Sequence, residues 1–158
     1  MIKIMLDTNV YGRSFDDLAD KNVESEAVSS KKIFSFAHLK IISIFTSEIL
    51  FYEINLISNK TKREVVFHLA KDVEKSMISI NPDIEKLADD LQIYLKDYAD
   101  CLHVSSAALT DCSYFATCDK ELLKKAGKIE SFLLKLNIKL HVVNPIELVS
   151  VLGERYGN

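Results

Sequence analysis

Short runs rich in apolar and β-branched residues recur along the chain. Between them lie longer stretches whose apolar positions repeat about every three to four residues. The first pattern predicts buried strands, the second amphipathic helices. IKIMLD (2–7), KIISIFTS (40–47), SMISI (76–80), SYFAT (113–117) and KLHVV (139–143) are the expected strands. Helices are expected over 24–39, with Ala27, Ile33, Phe34 and Ala37 inward, and over 47–58, with Ser47 as its N-cap. Further helices are expected over 62–75, over 83–96 behind Pro82, over 97–111, over 120–127 closing at Gly127, over 129–136, and from Pro145 through Leu152. Strands alternating with helices imply an α/β fold with a parallel sheet covered on both faces. Functional residues in such a sheet collect outside the carboxyl ends of the strands, where the strand order reverses.

Four acids break the pattern. Asp7 ends the first apolar run, and Asp119 stands between the fourth strand and the next helix. Glu53 lies among Ile49, Leu50, Leu56 and Ile57 on its expected helix, in the middle of the stripe that should face the core. A carboxylate there is costly unless paired or bound to a cation. Asp100 heads a face continued by His103, Val104, Ala107 and Ala108. Taken singly, Asp7 and Asp119 could cap helices and Asp100 could be an ordinary first-turn acid. Gathered at one edge of the sheet, the four would repel and raise one another's pKa. Divalent cations relieve such crowding, and oxygen ligands favour Mg²⁺ or Mn²⁺ over zinc. Those ions serve phosphate chemistry.

Bulk properties narrow this picture without redirecting it. The 158 residues suit a single domain over 1–158, and 48% apolar with 27% charged residues is ordinary globular composition. Cys101, Cys112 and Cys118 lack the paired spacing of a structural zinc site or a disulfide framework, and buried thiols in a reducing, cytoplasmic setting are expected. No apolar run approaches the ~20 residues of a membrane helix. A net charge of −3 offers no general basic footprint for nucleic acid. His103 falls on a packed face, as a core or supporting histidine. The segment 12–26, which holds Arg13, Asp16 and Asp17, reads as a solvated loop or as a lip beside the first strand.

The motifs resemble the PIN-domain ribonuclease family. MLDTNV matches the family's opening strand, SEILFYEI its serine-led helix with an acid six positions on, and DCLHVSSAALTDCSYFATCDKEL its D-x-x-H-x-x-x-A stretch followed by a strand and Thr-x-Asp. The resemblance implies a Rossmann-like three-layer α/β/α sandwich with a central five-stranded parallel sheet. It also implies a metal-dependent ribonuclease acting on single-stranded RNA, with Asp7, Glu53, Asp100 and Asp119 as the catalytic, Mg²⁺- or Mn²⁺-binding pocket. Asn9, Ser47 and Thr117 would support that pocket. Arg13 and Lys120 are candidate substrate contacts, with Lys124 and Lys125 beyond them. The protein would be the toxin of a toxin–antitoxin pair, with an antitoxin protein as partner, or a stand-alone PIN protein. Phe51 and Tyr52 are expected to be exposed and to favour a homo-oligomer. The alternative is a non-catalytic RNA-binding or scaffold protein, which the complete set of acids disfavours. A phosphatase with an aspartyl nucleophile would want Asp-x-Asp where this chain has Asp-Thr-Asn, and no glycine-rich nucleotide loop is present.

Overall fold

The computed structural model describes residues 1–156. Strands β1 (Ile2–Leu6), β2 (Ile42–Ser47), β3 (Glu74–Ile78), β4 (Tyr114–Ala116) and β5 (His141–Val143) pair in parallel in the order β3-β2-β1-β4-β5. The helices are α1 (Thr8–Gly12), α2 (Lys21–His38), α3 (Glu48–Asn55), α4 (Lys60–Val73), α5 (Pro82–Leu91), α6 (Tyr98–Leu109), α7 (Lys120–Lys124), α8 (Ala126–Lys135) and α9 (Pro145–Tyr156). A 3-10 turn, Arg13–Phe15, follows α1.

Alternation along the strands divides the core in two. Ile2, Ile4 and Leu6 of β1 face one way, with Ile42 and Ile44 of β2, and pack against α2, α4 and α9 through Ile33, Phe34, Val66, Ala70, Leu148 and Leu152. Met5 and Phe115 face the other way, against Ile84, Leu91, Val104, Ala107, Ile129 and Leu133 of α5, α6 and α8. Strands buried on both faces have no polar side to show, so their sequences read as continuous apolar runs. The expected α/β/α sandwich is therefore what the chain forms.

Asx and serine caps set most helix starts. Asp20, Ser47, Asn59, Asn81, Asp97 and Asp119 each accept hydrogen bonds from backbone N–H groups of the helix that follows. Several expected boundaries move as a result. Asp20 starts α2 three residues early, and Asp97 caps α6 instead of joining it. Segment 12–26 is largely ordered helix and turn, not a solvated loop, because Arg13 binds the buried Glu26. Gly127 is not a C-cap: Lys125 closes α7 through N–H bonds to Leu122 and Leu123, and Gly127 falls in the first turn of α8. Phe51 packs edge-on against Phe67, so of the expected exposed pair Tyr52 alone stays open, at 62%.

Candidate functional site

The strand order reverses between β1 and β4, and a cavity of about 510 Å³ opens at their carboxyl edge. Asp7, Glu53, Asp100 and Asp119 all line it, together with Thr8, Asn9, Gly12, Asp16, Lys62 and Asp97. Each acid arrives on a different element. Asp7 follows β1 and is 5% exposed. Glu53 sits near the end of α3, whose direction is set by the buried Ser47 accepting from Leu50 N–H at 3.2 Å. Asp100 is in the first turn of α6, and Asp119 caps α7.

Asp7 is held from several sides. Its Oδ1 accepts from Thr8 N–H at 2.7 Å, and its Oδ2 accepts from Thr117 Oγ1 at 2.7 Å and from Asn9 Nδ2 at 3.3 Å. Asn9 Oδ1 in turn accepts from Cys118 N–H at 3.0 Å, and Thr117 Oγ1 accepts from Asp119 N–H at 3.1 Å. Asn9 and Thr117 thus pin the β1 and β4 ends together, and Asp7 N–H donates to Ala116 O at 2.8 Å across the same gap. Asp119 spends Oδ1 on the N–H groups of Glu121 and Leu122.

His103 joins this group from one turn beyond Asp100. Its ring is fully buried, with Nε2 at 2.5 Å from Glu53 Oε1 and 3.7 Å from Asp7 Oδ1. Thr8 Oγ1 donates to the same Glu53 oxygen at 2.6 Å. Ligand atoms of Asp7, Glu53 and His103 lie within 4.8 Å of one another and are placed to share a cation. The closest grouping thus contains two of the four predicted acids and a histidine. Asp100 and Asp119 line the same cavity outside that knot. Asp119 has one oxygen, Oδ1, engaged in capping α7.

The electrostatics follow from this placement. Burial raises the Asp7 pKa, against the opposing pull of His103 and the Thr117 hydroxyl. Burial also pushes Asp100 up, and the negative charges of Asp7, Asp97 and Asp119 help bring it to about 7, while His103 pulls down. For Glu53 burial raises the pKa, but the hydrogen bonds from His103 and Thr8 and the His103 charge prevail and hold it below the usual carboxylate range. The same pairing lifts His103, although burial acts the other way.

Other candidates fall elsewhere. Arg13 turns from the cavity: Nε and Nη2 donate to Glu26 Oε1 at 3.1 and 2.7 Å, and Nη1 to Asp16 at 3.1 Å. Lys120 follows Asp119 in sequence but is not among the residues that line the cavity. Sequence reasoning missed Lys62, Thr8 and Asp97. Thr8 and Asp97 were signalled only by proximity to a motif or a cap, and Lys62 by nothing. The three cysteines are free and buried.

A parallel, Rossmann-like α/β/α sandwich with an acid-lined cavity at its topological switch point has its cavity where open α/β sheets bind ligands. The family model of the PIN domain matches residues 4–128. The chain therefore belongs to the PIN-domain family, whose members are nucleases that typically use divalent metals. No curated protein matches it in sequence. Among solved structures it is similar to a chain in the crystal structure of VapBC2 from Rickettsia felis bound to a DNA fragment from their promoter. The identity is 18%, with a TM-score of 0.54, over 89% of this chain and 98% of that one.

Proposed function

We propose that this protein is a Mg²⁺- or Mn²⁺-dependent endoribonuclease that hydrolyses phosphodiesters of single-stranded RNA. One observation carries the reading: Asp7, Glu53, Asp100 and Asp119 converge from four separate elements on one cavity, in a chain of the PIN-domain family. The residues suit a hard divalent cation. The donors are carboxylates with one imidazole beside them; burial first, and then the neighbouring carboxylates, raise Asp100 to about 7, and a bound cation would offset both. Such a cation neutralises charge on the phosphate and lowers the pKa of water.

The chain's own groups supply the rest. Asp7 and Glu53 would hold the cation, with Asp100 and Asp119 completing the set. Thr8, Asn9 and Thr117 fix Asp7, and Thr8 with His103 fixes Glu53. Ser47 aims α3. No side-chain nucleophile is needed. The Cys118 thiol is 6% exposed, and burial holds its pKa well above the ordinary thiol range, so it stays protonated. Burial of Asp7 supports a preference for single strands. Asp7 lines the cavity and is only 5% exposed, so a flexible strand can present a phosphate to it more readily than a stiff duplex.

The narrower reading is the toxin of a toxin–antitoxin pair in the cytoplasm. It is supported by the fold shared with a chain of the VapBC2 structure. Tyr52 on α3 and Leu56 at its C-cap, exposed at 62% and 66%, support contact with an antitoxin or a second copy; Leu56 leaves the core stripe expected for it because α3 ends at Asn55. Growth arrest on induced expression, absent for Asp7→Asn, is the expected sign of a toxin.

The first test is cleavage of labelled single-stranded RNA in Mn²⁺ or in EDTA, by the protein and by Asp7→Asn. Cutting that needs Mn²⁺ and is lost in the variant supports the nuclease. No cutting, or equal cutting by both proteins, overturns it and favours a non-catalytic RNA-binding or scaffold role.

A further inference from the structure

Six acids line the cavity: Asp7, Asp16, Glu53, Asp97, Asp100 and Asp119. A nucleic-acid backbone entering it meets like charge on every side. Among the described residues, Lys62 is the one cation in that lining. Its side chain lies along α1 at Gly12, where an added methyl would stand 3.2 Å from Cε and 3.6 Å from Nζ. The glycine leaves room for the stem to reach the cavity.

The Lys62 ammonium is lightly engaged. It makes no side-chain hydrogen bond among the described residues, and its partner Asp16 stands at 3.9 Å, with 35% of that side chain exposed. Asp16 is more closely bound to Arg13, at 3.1 Å. Arg13 itself is committed to the buried Glu26 and is not among the residues that line the cavity. Helix stability does not explain Lys62 either. It sits in the first turn of α4, where a cation opposes the helix dipole and no acid compensates. An ammonium on a flexible stem, with three donors, is a common binder of phosphate.

We propose that Lys62 binds a backbone phosphate of the single strand whose scissile bond faces Asp7 and Glu53. This assignment rests on the nuclease reading of the site. It replaces Arg13 and Lys120 as the substrate contact within the cavity. Lys62 acts on substrate affinity and leaves the cation-binding acids untouched.

The experiment is fluorescence anisotropy of a short labelled single-stranded RNA over a salt series. It uses the full chain in Ca²⁺, with the RNA checked to be intact at the end. Lys62→Met and Lys62→Arg are measured beside the unmodified protein, with thermal melts to confirm folding. Lys62→Met is expected to weaken binding about tenfold, as for one charge-assisted contact. It should also shrink the slope of log affinity against log salt by ~0.7, the value for one phosphate contact on a single strand. Lys62→Arg should keep the slope. Wild-type slope and affinity in Lys62→Met would overturn the Lys62 assignment without touching the nuclease reading, which the cleavage assay with Asp7→Asn decides. Absence of RNA binding by all three proteins would overturn both.

Discussion

Asp100 shows how one side chain records the strain of the site. It is half-buried, makes no side-chain hydrogen bond among the described residues, and has Asp7, Asp97 and Asp119 as charged neighbours. Its folded pKa of about 7 lies above the ordinary 3.8. The folded state therefore binds the proton more tightly than the unfolded state does. Stability from this group is full below about pH 3.8 and is lost as pH rises through about 7. In metal-free buffer, Asp100→Asn should melt higher than the unmodified protein above about pH 7, and the two should converge near pH 3.8. A melting series in EDTA checks this, and equal pH profiles would refute it. At this scale the sequence was informative where a residue stood in the wrong place. Glu53 among apolar neighbours and Asp7 at the end of a buried strand are anomalies visible within one turn of chain. Lys62 is not anomalous in its own neighbourhood, so nothing local marked it.

Glu26 joins several of the elements. It is 1% exposed on α2, binds Arg13 after α1, and accepts from Asn144 Nδ2, whose own Oδ1 caps α9 through Ile146 N–H. One carboxylate thus ties α1, α2 and the β5–α9 turn. Breaking a buried ion pair from one side costs about 3–5 kcal/mol. Because Arg13 keeps 19% of its side chain exposed, Glu26→Ala is expected to cost ~2–4 kcal/mol, toward the low side of that range. Urea unfolding with an unchanged m-value measures it. A loss below about 0.5 kcal/mol would remove the latch from the account. Strands and helix faces were legible because their period depends on the nearest residues. Boundaries were less so. Lys40 and Asp111 turn the chain into β2 and β4 with φ of 58°, and Asn137 turns it toward β5 with φ of 62°, where glycine would have been the usual signal. Gly127 gave the opposite false sign, since α8 begins one residue before it.

For the whole molecule, the strand order is what turns scattered acids into a site. Placing β4 beside β1 brings residues 7 and 117–119 together. The α3 and α6 helices, which pack against each other, then deliver Glu53 and Asp100 to the same edge. A cation held by this arrangement binds the folded chain and not the unfolded one. At a hundredfold excess over its dissociation constant it should add ~2.7 kcal/mol. For a chain of this size that corresponds to a melting increase of ~5–10 °C. The expected result is such a rise with Mn²⁺ for the unmodified protein and a much smaller one for Asp7→Asn. An equal rise in both would place the cation elsewhere.

By itself the sequence determined which segments become strands, most of the helix faces that turn inward (Leu56, past the end of α3, is the exception), and which carboxylates stand where burial should have excluded them. Those properties follow from interactions within a turn or a strand pair, where side-chain period and capping chemistry are explicit. The tertiary structure alone decided the partners: His103 wedged at Glu53 and Asp7, Arg13 drawn to Glu26, and Lys62 left as the cavity's cation. These pairings join residues far apart in the chain. They depend on how two layers of helices settle on a twisted sheet, and no local pattern carries that information.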